Sequence, residues 1–334
     1  MKVIKVRNVH EAFPTALLIL FQEGVERDSR NGKVLVHPEP VTTVYEKPKE
    51  RVLFWAERNA NPFFHLFEAL WMINGNKDVA FISQFVKRMQ DFSDDGKTFH
   101  GAYGYRWRDH FKIDQLLTII KILQNNPEDR RCVLQMWDPK ADLGQEGKDF
   151  PCNTQVYFTI NHEGNLDMTV CNRSNDIVWG CYGANAVHFS FLQEFVASCI
   201  GCEVGRYYQI SNNWHGYLET VEPYRHLSMN GYENPYTDKT TDQKLFPIMQ
   251  TPKGQWLMDL RMFMETGAVL GLRDPFFRRV VVPMYEAFLA YKHRKGPERY
   301  EMALDHLERC DAFDWRIASQ QWILRRKEKG NKNA

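Results

Sequence analysis

Between residues 113 and 217 the hydrophobic period of the chain changes repeatedly, and the order of those changes limits the fold more than any other feature. "IDQLLTIIKILQNN" (113–126) is apolar at i, i+3, i+4 and i+7, one face of a helix, and Pro127 ends it. "RCVLQMW" (131–137), "TQVYFTI" (154–160) and "NLDMTVC" (165–171) are then short β-branched or aromatic runs. The "NHEGN" between the last two predicts a hairpin turn. "NAVHFSFLQEFVASCIG" (185–201) returns to the helical period, with Val187, Phe191, Phe195 and Cys199 at i+4 steps and Gly201 as a C-cap. "RYYQIS" (206–211) is strand-like again. Such interspersion predicts an α+β core through residue 218.

Upstream, "NPFFHLFEALWMI" (61–73) predicts a buried helix stopped by Gly75, and a second helix is expected over 78–89. After Tyr217 the chain is loop-rich ("NGYENPYTDKTTDQK") and then helical. The apolar faces expected at 276–292 and 313–326 need an existing surface to bury against. The expected organisation is a catalytic core over 1–218 and a mainly helical C-terminal extension over 219–334 packed on it. With 334 residues, 43% of them apolar, the chain can build a sizeable core. No apolar run approaches the roughly 18 residues of a membrane span, and the start lacks the apolar stretch of a secretion signal, so a cytoplasmic protein is expected. Seven cysteines in an irregular spacing suit free thiols in a reducing compartment. A net charge of +1 gives no field for holding polynucleotide, so no DNA partner is expected. The basic tail "RRKEKGNKNA" reads as a frayed, solvated end.

Taken alone, Cys152 in "DFPCNTQVYF" fits a buried core thiol. Its place between proline and asparagine at a strand entrance also presents it at a fixed edge, and a catalytic thiol would need nearby positive charge. Arg130, Arg131 and Arg173 are available. "CNRSNDIVWG" (171–180) combines Arg173 and Ser174, a pairing that suits phosphate but also an ordinary turn. In "SNNWHGYL" (211–218), His215 and Tyr217 fall on one side of a strand, where they can reach a sugar hydroxyl or serve the core. Glu68, among apolar neighbours in its helix, becomes a proton shuttle if buried and means little if exposed. "CIGC" (199–202) lacks a second metal pair, and no P-loop, G-x-G-x-x-G or H-E-x-x-H occurs, so no metal is expected.

In combination, a Pro-Cys at a strand start, Arg-Ser-x-Asp about twenty residues on, a Gly and then an Asn opening a helix, and His-x-Tyr beyond it resemble the thymidylate synthase superfamily. The resemblance covers roughly residues 25–218. It implies a mixed β-sheet core with helices, a homodimer, a pyrimidine nucleoside monophosphate substrate and 5,10-methylenetetrahydrofolate as carbon donor. By residue, it implies Cys152 as the nucleophile on C6 of the pyrimidine and Arg173 and Ser174 as phosphate ligands. Arg30 corresponds to a mobile phosphate arginine, with Arg27 the other candidate, and Arg130 and Arg131 to arginines reaching across the dimer. Asp176 corresponds to the folate carboxylate, Asn185 to the amide on the pyrimidine edge, and His215 and Tyr217 to the ribose contacts. Glu68 resembles the proton-relaying glutamate, and Tyr103 in "GAYGYRWR" the tyrosine beside the thiol.

The departures from the family bear on the product. Asn153 stands where synthases have His, and the stretch that carries a tryptophan in the family reads "KRMQDFSDD" here. "GCYGAN" (180–185) has one residue more than usual, and the chain ends in "KEKGNKNA" rather than a short apolar closure. Hydride transfer requires a dry site with the folate retained. A site altered in these ways is expected to admit water and make a 5-hydroxymethyl nucleotide. The Asn185 amide favours dUMP; the inserted residue leaves dCMP or CMP open. The alternatives are a thymidylate synthase making dTMP by reductive methylation, and a non-catalytic nucleotide- or RNA-binding homologue.

Overall fold

The computed structural model describes residues 1–228, 233–237 and 244–332, and for 331 and 332 the backbone only. Among the described residues, ten strands form two sheets: β1 (Lys2–Val6), β2 (Val25–Ser29), β3 (Gly32–Val36), β4 (Val41–Tyr45), β5 (Val133–Gln135), β6 (Asn153–Ile160), β7 (Leu166–Asn172), β8 (Asn175–Asp176), β9 (Val204–Ser211) and β10 (Trp214–Tyr217). The larger sheet has the order β1-β4-β9-β7-β6-β5, with β1∥β4 and β7∥β9 parallel and the other pairs antiparallel. The smaller has the order β2-β3-β10-β8. The expected hairpin joins β6 to β7: Asn161 Oδ1 accepts from the Glu163 and Asn165 N–H groups, and Gly164 takes the left-handed conformation (φ +79°) that closes the turn.

Of the helices, α1 (Val9–Glu23), α2 (Pro62–Asn74), α3 (Gln115–Asn125) and α4 (Asn185–Ile200) lie in or begin the expected core. Every residue of α4 from Asn185 to Ala197 is buried, the pattern of a helix enclosed on all sides. Its Gln193 Nε2 donates to the carbonyls of Leu166 and Arg206, and Glu194 pairs with buried Arg51, so the Gln193 amide nitrogen and the Glu194 carboxylate are compensated inside the core. Gly201 caps it in the left-handed region, as its sequence predicts.

The helix expected over 78–89 is interrupted. A single turn, Val79–Ser83, capped by Asp78, gives way to extended Val86 and a 3-10 turn at Lys87–Phe92. No residue of that turn is buried, so nothing draws a further α-helical turn onto the core.

By contacts the chain divides into two compact units. One comprises Met1–Arg51 with Trp71–Asn234, the other Val52–Leu70 with Pro235–Ala334. Residues 219–228 cluster with the first unit, where Val221 and Leu227 are buried. The second unit contains α5 (Lys253–Thr266), α6 (Val282–His293), α7 (Glu298–Glu308) and α8 (Phe313–Lys332). Its core takes Phe63 and Phe67 from the first turns of α2: Phe63 packs on Phe288 (5.4 Å) and Trp322 (5.5 Å), Phe67 on Phe263 (5.8 Å) and Tyr285 (5.5 Å). The tail expected to fray continues α8 to Lys332; residues 333–334, and most of the loop-rich stretch 229–243, lie outside the described residues. Among the described residues no helix is long and apolar enough to cross a membrane.

Candidate active site

Cys152 occupies the entrance to β6, and both sides of its loop are held. On the N–H side, Tyr103 Oη accepts from the backbone N–H of Cys152 (3.1 Å) and of Asn153 (3.2 Å). On the carbonyl side, Arg173 Nε donates to Pro151 O (2.8 Å) and its terminal nitrogen to Phe150 O (3.2 Å); that nitrogen lies 4.0 Å from Cys152 Sγ. The β6–β7 hairpin explains the meeting, because Asn153 pairs with Asn172 and Arg173 therefore follows opposite Cys152.

Burial pushes the Cys152 thiol up from its ordinary value, Arg173 opposes that shift, and Asp149 adds to it. Burial likewise raises the Asp149 carboxyl, against the hydrogen bond it receives from the Gly101 N–H (2.7 Å). The Tyr103 hydroxyl is also raised, first by burial and then by proximity to Cys152. The segment carrying Tyr103 is itself pinned. Arg106, fully buried, binds both carboxylate oxygens of Asp142 (2.7 and 2.8 Å) and the carbonyls of His100 and Met136. Gly104 permits the backbones to touch there, since a Cβ at that position would lie 2.0 Å from Met72 O.

The small sheet gathers a second group. On β10, His215 lies between Val36 of β3 and Asp176 of β8, its ring edge-on to Tyr217 at 5.5 Å. The β2–β3 hairpin bends to the same place: Asn31 Nδ2 approaches Tyr217 Oη at 3.5 Å, and the adjacent Arg30 is exposed at the tip. Arg27 is exposed further back on β2. Ser174, between Arg173 and β8, is half-exposed. Asp176 caps the irregular helix that follows, accepting from the N–H groups of Val178 (3.0 Å) and Trp179 (2.6 Å). Asn185 begins α4 with its amide bonded to Asn153 and Asn175, each at 2.9 Å.

Three expected residues and one pair of arginines stand in different places. Tyr103 and Asn153 meet at the thiol loop, whereas Glu68 is half-buried in the part of α2 that clusters with the second unit. Arg130 and Arg131 precede β5 at the opposite end of the β5–β6 ladder. Cys132 O accepts from Phe158 N, and Phe158 is about 20 Å of extended chain from Cys152. Arg131, 85% exposed, is paired with Asp129 at 2.5 Å, which lowers that carboxyl to about 2.

The sequence reading missed Asp149, Asn175, Ser211 and Trp179. Asp149 carried a signal, three residues before the cysteine; Asn175 and Ser211 lay inside motifs but join the site only through their hydrogen bonds. Trp179 is 58% exposed one turn beyond Asp176, so an indole does stand near that carboxylate although "KRMQDFSDD" has no tryptophan.

A family model described as thymidylate synthase matches residues 14–245. A deoxyuridylate hydroxymethyltransferase of Pseudomonas phage M6 is 54% identical over 333 residues, covering 98% of this chain and 95% of that protein. Proteins of the same name from Bacillus phage SP01 and Delftia phage PhiW-14 are 38% and 33% identical, over 56% and 48% of this chain and 52% and 47% of their own lengths. With a family model across most of its length and a relative aligned from end to end, this chain belongs to the thymidylate synthase family and is a one-carbon transferase.

Proposed function

We propose that this protein transfers a one-carbon unit from 5,10-methylenetetrahydrofolate to C5 of dUMP and finishes the reaction with water, giving 5-hydroxymethyl-dUMP. The observation that carries the reading is the thiol loop: Cys152 is fixed from both sides, its sulfur faces a guanidinium, and a buried amide, Asn185, is tied to its neighbour Asn153. The names of the relatives point to the same substrate and product.

In this mechanism the Cys152 thiolate forms a bond to C6, and the electron pair of the C5–C6 double bond moves toward C5 and O4. Methylenetetrahydrofolate supplies the carbon that C5 takes up. After the C5 proton is removed and tetrahydrofolate leaves with the electron pair of its N–CH2 bond, water adds its oxygen to the exocyclic carbon and gives up a proton, and expulsion of the thiolate from C6 restores the ring. Arg173 stabilises the sulfur anion as it forms and as it leaves. Tyr103, its oxygen occupied by two backbone donors, keeps its own O–H to offer toward the ring. Arg30, Arg173 and Ser174 hold the phosphate, His215 and Tyr217 the ribose, and Asp176 with the Trp179 ring the folate. Glu68 relays protons.

The homodimer belongs to the same proposal. Arg130 and Arg131 stand too far from their own Cys152 to share its nucleotide, which supports their serving a second copy. Incubation with dUMP and methylenetetrahydrofolate tests the reading. Tetrahydrofolate and a 5-hydroxymethyl product are expected, and Cys152→Ala should abolish both while still binding dUMP. Dihydrofolate and dTMP would overturn the choice of water, and turnover by Cys152→Ala would overturn the nucleophile.

A further inference from the structure

Three asparagines beside the thiol form one directed chain of hydrogen bonds. Asn153 Nδ2 donates to Asn185 Oδ1, Asn185 Nδ2 to Asn175 Oδ1, and Asn175 Nδ2 to Ser211 Oγ, each at 2.9 Å. The Cys181 thiol, on the segment between Asn175 and Asn185, donates to Gln209 Oε1 at 3.4 Å. All six side chains are buried. The packing at the middle is close: a Cβ on Gly180 would lie 2.8 Å from Asn175 Oδ1 and 3.3 Å from Asn185 Nδ2.

An amide presents oxygen on one side and NH2 on the other. Turning over Asn185 alone would set oxygen against the Asn175 oxygen and NH2 against the Asn153 NH2, leaving buried groups unsatisfied on both sides. None of the three amides can therefore turn over by itself. At the Asn153 end the hold is looser, because Asn153 Oδ1 is buried without a hydrogen-bond partner among the described residues. At the other end Asn175 is bonded on both sides.

Within its two bonds Asn185 retains one lone pair on Oδ1 and one N–H on Nδ2. Uracil offers a donor at N3 and an acceptor at O4; cytosine offers an acceptor at N3 and a donor at N4. Turning the amide over exchanges the complement of one base for that of the other. We propose that Asn175 and Ser211 are positioning residues that fix the polarity of Asn185 and thereby decide between uracil and cytosine. The inference rests on the reading that Asn185 meets the pyrimidine edge.

The test compares kcat/KM and Kd for dUMP and dCMP in the wild type, Asn175→Asp, Asn175→Leu and Ser211→Ala. A carboxylate at 175 can only accept, so Asn175→Asp keeps Asn185 donating and should hold the dUMP:dCMP ratio within about threefold of the wild type. Leucine offers no acceptor and frees the amide, so Asn175→Leu should lower the ratio about tenfold or more, with Ser211→Ala between the two. Equal losses on both nucleotides in Asn175→Leu, or an Asn175→Asp ratio that falls as far as the leucine ratio, would overturn the proposal. If Asn175→Leu does not fold, Ser211→Ala against Asn175→Asp decides by the same ratio. A wild type that prefers dCMP would overturn the substrate reading alone, since the erosion of whichever preference exists still tests the polarity.

Discussion

Replacing Tyr103 with Phe removes one oxygen and leaves two backbone donors without an acceptor, which makes it the sharpest probe of the thiol loop. The ring can stay, because its packing on Phe189 at 5.9 Å does not involve the hydroxyl. A buried donor left unsatisfied costs about 1–3 kcal/mol. Asn153 is fully buried, so its N–H belongs at the upper end; Cys152 is half-buried and its N–H can recover part of the loss from water. The sum is about 3 kcal/mol, or roughly a hundredfold in the opening of the loop. Two measurements check it. Urea unfolding of Tyr103→Phe should show the transition of the first unit at lower denaturant, and hydrogen exchange at residues 149–153 should quicken by about that hundredfold. Turnover should fall while dUMP still binds. A loss below about 0.5 kcal/mol with unchanged exchange would refute the view that Tyr103 clamps the loop.

The two charges around the thiol act in opposite senses, so Arg173→Gln should slow iodoacetamide alkylation of Cys152 at a given pH and shift its profile upward, whereas Asp149→Asn should shift it downward. Shifts in the same direction would contradict the assignment. Asp149→Asn also has a stability sign: the native carboxyl is raised above its unfolded value, so its contribution is greatest below the unfolded pKa and is lost as pH rises through the native one. The variant should therefore gain on the wild type in thermal melts on going from acidic to neutral pH. Phe63→Ala empties a fully buried site between Phe288 and Trp322 and should cost about 3–5 kcal/mol. Limited proteolysis should then cut first in 235–332; unchanged protection would mean that 52–70 is dispensable to the second unit.

The sequence by itself determined the local elements and the residues whose partners are near in the chain. The 113–126 helix, the β6–β7 hairpin and α4 with its Gly201 cap follow from period and turn chemistry, which act over a few residues. The meeting of Cys152 with Arg173 is an extension of that hairpin, so it too was within reach of a motif. The tertiary structure alone decided the rest. Tyr103 holds the thiol loop from 49 residues upstream, Ser211 ends an amide chain that begins at Asn153, and Phe63 and Phe67 fill the core of a unit whose other helices start at residue 253. None of these leaves a local pattern, because a hydrogen bond between distant side chains depends on where two elements come to lie, while periodicity records only which face of one element is apolar. The interrupted helix at 78–92 follows the same rule in reverse: its sequence permits a longer helix, and the lack of anything to bury beyond Phe85 ends it.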